Sequence, residues 1–355
     1  MMSLDTIHIA SAVEAARQSD VAILFCGSSS ASLARDYTET NCGEGFDLAD
    51  LALTGAQGKL IKAIHATGKP VILVLVTGKP FSIAWGKKHI PAILIQWYAG
   101  EQEGSSIANI LFGKTNPSGH LTVSFPQSSG HLPAYYNHLP TDRGFYHKPG
   151  SYEQPGRDYV FSSPGPLWAF GHGLTYTTFN YTDMQIQQSV DSIKVFVTVK
   201  NTGRWAGKAV PQLYVRDVFS SISTPVKQLK AFNKVALEPG ETTRVPLHFA
   251  VQDLALTDEA GKTMVEPGSF EIMIGDASDH ILLKQTISIG QNMAVSPCSI
   301  KEQLPEEIGK GNIIHIKGVV RDVQATPVDK VEIYSTAQQQ VIGCLLYTSD
   351  AADEA

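Results

Sequence analysis

The chain has 355 residues, 43% hydrophobic and 17% charged, with 28 Lys and Arg against 34 Asp and Glu for a formal net charge of −6. At about 150 residues per domain this length fits two or three domains with packed cores. The acidic balance argues against a nucleic-acid partner, and the composition is too apolar and aromatic for disorder. The longest apolar runs, Val71–Val76 and Ala92–Ile95, fall far short of the roughly 18 residues that span a bilayer. Cys26, Cys42, Cys298 and Cys344 are widely spread with no C-x-x-C, so no disulfide framework is expected and Cys26 reads as a core thiol.

Both ends read as internal. His8–Ala16 has the spacing of an amphipathic helix, with Ile9, Val13 and Ala16 on one side, and feeds directly into a strand. Met1–Asp5 shows neither a basic nor an apolar leader region. At the other end Cys344–Glu354 resembles an in-frame translation of a transposase sequencing adapter, and 344–355 are set apart from the fold. An internal piece of a longer gene product is expected.

The first third alternates helix and strand. Val21–Cys26 reads as a strand, followed by a polar loop over Gly27–Asp50 and a helix over Gly55–Ala66 with Leu60, Ile61 and Ile64 as its apolar stripe. Gly68-Lys69-Pro70 ends that helix, and Val71–Val76 is the continuous apolar run of a strand covered on both faces. A short helix at Phe81–Lys88 and a strand at Ala92–Trp97 follow. Gly100-Glu101-Gln102-Glu103-Gly104 then opens a helix with Ile107, Ile110 and Leu111 on one face, closed by Gly113. This alternation predicts an α/β sandwich: a mainly parallel sheet with helices on both faces.

From Lys114 to Tyr176 the periodicity fades and Pro, Gly, Tyr, His and Asn dominate, a texture that in a compact protein usually marks function. Beyond it the chain reads as all-β. Ile193, Val195, Val197 and Val199 alternate with Lys194, Phe196, Thr198 and Lys200, and strands at Gln212–Arg216, Thr243–Phe249, Phe270–Ile274 and Leu282–Ile289 are separated by Pro-Gly turns. Such short alternating strands predict a fibronectin type III or immunoglobulin-like sandwich. The expected organisation is an α/β sandwich domain at 1–127, an irregular connecting segment at 128–178, the β-sandwich at 179–290, a linker at 291–311 and a truncated β module at 312–343.

The chemistry-bearing stretch is Arg35–Asp50, which holds Asp36, Glu39, Glu44, Asp47 and Asp50 and follows the carboxyl end of a parallel strand, where open α/β sheets place ligands. A solvated acidic loop is the plain reading. Gly43 and Gly45 on either side of Glu44 favour a functional one, because flanking glycines let the backbone present a carboxylate close to another surface.

Cys42-Gly43-Glu44-Gly45-Phe46-Asp47, followed by Leu51-Ala52-Leu53-Thr54-Gly55-Ala56-Gln57, is similar to the second domain of glycoside hydrolase family 3, the β-glucosidases and β-xylosidases. The resemblance continues in the family's order through Trp97–Gly104, Asn116–Leu121, Gly156-Arg157-Asp158-Tyr159 and Phe170–Thr177. It extends into Asn201-Thr202-Gly203 and Leu229–Phe232 of a fibronectin-like domain. It implies a retaining glycosidase whose aspartate nucleophile comes from an N-terminal barrel that this chain lacks, so that the chain alone is expected to be inactive. The acid/base would come from the acidic loop: Glu44, with Glu39 the runner-up because Tyr37-Thr38-Glu39-Thr40 also resembles the acid-bearing segment of some members. That acid must donate a proton to the glycosidic oxygen and then take one from water.

The implied substrate is a β-linked oligosaccharide or an aryl or alkyl glucoside ending in glucose or xylose. No cofactor, metal, nucleic-acid partner or membrane span is implied, and family precedent points to the periplasm or the exterior. Arg157, Asp158 and Tyr159 are candidate substrate contacts against a plain turn with a local ion pair; Trp168 is a candidate against a core ring. Leu48 stands where the family often has Arg, Thr54 where it has Pro and Lys79 where it has Arg, which leaves the acid in place but loses bidentate geometry.

The alternative function is a non-catalytic carbohydrate-binding or scaffolding module. Nucleotide binding is disfavoured, since Leu48 occupies the third glycine position of a dinucleotide fingerprint. His120, His131, His138, His147 and His172 have no metal-ligand spacing. Asn312–Gly343 faintly resembles the start of a carboxypeptidase-regulatory-like β-sandwich.

Overall fold

The computed structural model describes residues 6–28, 48–140 and 162–290, with the backbone of 293–294, 330–335 and 340–346. The chain divides into two compact units, residues 1–250 with 268–289 and residues 251–267 with 290–355.

In the first unit, α1 (Ile9–Arg17) precedes β1 (Ala22–Gly27), α2 (Gln57–His65) precedes β2 (Val71–Val76), and α3 (Ala84–His89) precedes β3 (Ala92–Gln96), with α4 (Glu103–Leu111) following. The strands form a parallel sheet in the order β1-β2-β3. Its register sets Leu24 beside Leu73 and Leu73 beside Ile93, and Cys26 beside Leu75 and Leu75 beside Ile95. That face joins the apolar stripes of α1 (Ala12, Val13, Ala16) and α2 (Leu60, Ile61, Ile64) in one cluster, the burial that stabilises short helices. Ile107 of α4 is buried outside that cluster. Cys26 is a free, buried thiol, pushed up to about 11 by desolvation.

Strand β1 is an edge. The amides of Ala22 and Ser28 reach the carbonyls of Pro70 and Val76 at 2.9 and 2.8 Å, so by alternation the backbones of Ile23, Phe25 and Gly27 turn outward. Among the described residues no strand pairs with that outer edge. The side chains of Ile23 and Phe25 are 41% and 61% exposed.

The described part of the irregular stretch contains one 3-10 turn, Ser129–His131, and an antiparallel bridge between Phe125 and Trp168. It is nonetheless packed. Leu121, Phe125 and Leu167 belong to the α/β core cluster, and the buried ring of His131 meets the Pro164 carbonyl at 2.6 Å and the Gln127 amide at 3.3 Å.

The rest of the unit is a pair of antiparallel sheets. One joins β10 (Thr242–Ala250), β5 (Ser192–Asn201) and β4 (Phe179–Gln188). The other joins β14 (His280–Ile289), β13 (Gly268–Ala277), β7 (Gln212–Asp217) and β8 (Gln228–Phe232). The short β6 (Gly207–Ala209) and β9 (Val235–Leu237) pair with each other. Ile193, Val195, Val197 and Val199 are all fully buried, as their alternation predicts.

A polar seam joins this β layer to the irregular stretch. The Gln212 amide donates to the carbonyls of Gly171 and Asp276 at 2.9 and 2.7 Å, and its oxygen accepts from the Tyr214 hydroxyl at 2.5 Å. The Ser278 amide donates to the Phe170 carbonyl, and the Phe170 amide to Ser124 Oγ. Tyr136 stacks on Phe170 at 4.2 Å and meets Tyr214 edge-on at 5.9 Å. Gly171 sits at φ +82°, and a Cβ there would fall 2.1 Å from Gln212 Oε1.

In the second unit, β11 (Leu256–Thr257), β12 (Thr263–Val265) and β15 (Met293–Ala294) form an antiparallel sheet, and β16 (Lys330–Ser335) pairs with β17 (Gln340–Leu346). Strand β17 carries Cys344, Leu345 and Leu346 in register with β16, so pairing runs into the segment set apart as adapter-like.

Candidate functional site

The carboxyl ends of β1, β2 and β3 lie side by side, with Gly27 opposite Val76 and Val76 opposite Gln96. Each strand leaves the sheet under side-chain control. At the end of β2, Thr77 is fully buried, its amide donates to the Gln96 carbonyl at 3.0 Å, and its hydroxyl donates to the Lys79 carbonyl at 2.7 Å.

At the end of β1 the fixation is denser. Gln57, the first residue of α2, accepts from the Gly27 amide at 2.6 Å and donates to the Gly27 carbonyl at 3.0 Å and the Thr54 carbonyl at 3.1 Å. The amide of one side chain thus takes the place of a neighbouring strand on the outer edge of β1. Gly27 has φ +142°, and a Cβ there would lie 1.8 Å from the Val76 carbonyl oxygen, so the position requires glycine. One residue on, the buried Ser28 hydroxyl lies 3.0 Å from the Tyr98 hydroxyl, which also donates to the Ser28 carbonyl at 3.2 Å. The Tyr98 ring lies against Gly78, where a Cβ would come within 2.8 Å.

The chain is fixed again at Asp50 and Leu51. Asp50 Oδ1 accepts from the Ala52 amide and from Ser129 Oγ, both at 3.0 Å, and Ser129 Oγ accepts from the Leu51 amide at 2.9 Å. The Leu51 carbonyl accepts from the Ser82 amide at 2.9 Å. The Ala52 amide, and after it the Ser129 hydroxyl, holds the exposed Asp50 carboxyl below the usual carboxylate range. Residues 29–47 are therefore bounded by two hydrogen-bonded stems.

Glu44, Glu39, Arg157, Asp158 and Tyr159 lie outside the described residues. Trp168 lies within them, half-buried against the α/β core, with its ring 5.7 Å edge-on from Phe125 and Lys87 Nζ 5.6 Å from its centroid. Lys87 also donates to the Leu167 carbonyl. Trp97, whose sequence setting favours a core ring, packs on the same cluster, 6.2 Å from Phe125. The roles of Gln57, Ser129 and the Ser28–Tyr98 pair were missed. A polar residue in the first turn of a helix, three residues after Thr54, was the available signal for Gln57.

Residues 5–176 match the family model of the glycosyl hydrolase family 3 C-terminal domain, and residues 209–278 match a fibronectin type III-like domain. The chain is 40% identical over 283 residues to a beta-xylosidase of Formosa agariphila, covering 78% of this chain and 36% of the relative. It is 39% identical over 275 residues to a periplasmic beta-glucosidase of Salmonella typhimurium, covering 76% and 34%. Among solved structures, the beta-glucosidase of Listeria innocua in complex with glucose superposes with a TM-score of 0.70 at 32% identity, covering 81% of this chain and 39% of that one. The chain thus spans about a third of the length of the curated relatives it matches.

Proposed function

Because this chain belongs to glycosyl hydrolase family 3, with the family's C-terminal domain ahead of a fibronectin type III-like domain, we propose that it supplies the acid/base half of a retaining β-glycosidase. The reaction is hydrolysis of a terminal β-linked glucose or xylose. The observation that carries this reading is the pair of stems flanking residues 29–47, which include Glu44 and Glu39: the chain enters from the carboxyl end of a parallel sheet, and hydrogen bonds fix the residues on either side. Ligands of open α/β sheets bind at that end, and relatives that match this chain are named beta-xylosidase and periplasmic beta-glucosidase.

In this reading the Glu44 carboxylic acid protonates the glycosidic oxygen while an aspartate from the family's barrel attacks the anomeric carbon. The resulting Glu44 carboxylate then takes a proton from the water that releases the sugar. Arg157, Asp158 and Tyr159 are assigned to substrate contact by their place in the irregular stretch; Trp168 is a candidate beside its packing on the α/β core.

The test fuses this chain behind a family 3 barrel and compares Glu44→Gln with the parent on a β-linked disaccharide. Loss of a general acid–base group lowers the rate about 10²–10⁴-fold. Unchanged turnover removes Glu44 and moves the role to Glu39.

A further inference from the structure

Gln57 and Tyr98 have no part in the chemistry proposed above, yet they hold the point from which the acid-bearing segment departs. Three features make this more than ordinary loop packing. First, Gln57 binds both polar groups of a single peptide position, the amide and carbonyl of Gly27, from the side where a further strand would lie. Two bonds to one residue fix its peptide orientation as well as its position. Second, Gly27 is already committed to a backbone geometry open only to glycine by contact with Val76, so it has little freedom to absorb a misplaced partner. Third, Tyr98, from the end of β3, fixes the hydroxyl and the carbonyl of the next residue, Ser28. The last two described residues before the segment are thus held by side chains from two different elements, Gln57 on the outer edge of β1 and Tyr98 from the side of β2 and β3.

We infer that Gln57 and Tyr98 are positioning residues for the acid/base glutamate: they set the direction in which the chain leaves β1, and through it the placement of the proton donor. The inference rests on the reading that segment 29–47 carries that donor. Proton donation to a glycosidic oxygen tolerates little displacement, and errors near 1 Å cost on the order of 10²-fold in rate.

The effect has a signature that a general loss of structure lacks. For retaining glycosidases kcat/KM reports the glycosylation step, in which a poor leaving group needs the acid and an activated one such as dinitrophenolate does not. With this chain fused behind a family 3 barrel, Gln57→Leu keeps the side-chain bulk and removes both bonds to Gly27. It is expected to lower kcat/KM on a β-linked disaccharide about tenfold to a hundredfold and to leave the dinitrophenyl glycoside nearly unaffected. Tyr98→Phe keeps the ring against Gly78 and removes the hydroxyl, and it should show the same asymmetry at smaller amplitude. If Gln57→Leu does not fold by circular dichroism, Tyr98→Phe decides alone.

Equal losses on both substrates, or no loss on either, overturn the positioning role. Glu44→Gln and Glu39→Gln run in parallel: if neither shows the leaving-group asymmetry, the acid assignment itself fails and the inference falls with it. If one does and the Gln57 and Tyr98 variants do not, the positioning role alone is refuted.

Discussion

Gly171→Ala should be among the most damaging small substitutions in the chain. A methyl group at this position would lie 2.1 Å from Gln212 Oε1 and 2.9 Å from the Tyr214 hydroxyl, at a φ of +82°. The backbone penalty for an alanine at positive φ is about 1–2 kcal/mol. Moving Gln212 aside breaks its bonds to the Gly171 carbonyl, the Asp276 carbonyl and Tyr214, at roughly 1 kcal/mol each. The sum is about 4–5 kcal/mol. Gly240 supplies the control, with φ +81° and no atom within 4 Å of the added methyl, so Gly240→Ala pays the backbone penalty alone, about 1–2 kcal/mol. Urea unfolding followed by near-ultraviolet circular dichroism compares the two variants with the parent. If they are destabilised equally, to within the additivity error of about 0.5 kcal/mol, the seam does not hold the β layer as its hydrogen bonds indicate.

Two further expectations concern titratable groups. Burial holds the imidazoles of His120 and His172 below the ordinary value of 6.5, against partly opposing fields from Asp276 and Asp279. The unfolded chain therefore takes up protons where the folded one does not, so stability is full above 6.5 and falls as the pH drops through the window below it. Urea midpoints measured across that window should decline toward acid, and the double substitution His120→Gln, His172→Gln should flatten the decline; an unaltered slope refutes the assignment. Cys26, with its thiol raised to about 11 by burial, should resist iodoacetamide in the native chain at neutral pH and react once urea is added. Peptide mass mapping reads this directly, and rapid native labelling at Cys26 would contradict the burial.

The elements legible in the sequence were those whose apolar period was strong. Val71–Val76 is a strand with the predicted bounds, and the run from Ile193 to Val199 buries the predicted face. The strands that escaped notice had weaker patterns. In β4, Asn180, Thr182 and Asp183 dilute the alternation, and a register shift between Thr182 and Gln185 breaks it. Strands β6 and β9 are three residues each, too short for a period to register. The irregular stretch read as functional texture, and part of its composition has a structural cause: Leu121, Phe125 and Leu167 close the α/β core, and Phe170 and Gly171 build the seam. The acidic segment was legible as a motif, because Gly43 and Gly45 bracket Glu44. Its supports were not, since nothing local marks Gln57 and Gly27, thirty residues apart, as partners.

The outer edge of β1 bears on how the chain behaves in a test tube. Ile23 and Phe25 expose their side chains on one face of β1 and turn their peptide groups away from β2 at the same residues. Such an edge is a template for intermolecular strand addition, and apolar side chains along it favour aggregation. Concentrated samples of the chain carry this hazard from the start, and a single lysine at position 23 would blunt it without touching the core face of the sheet.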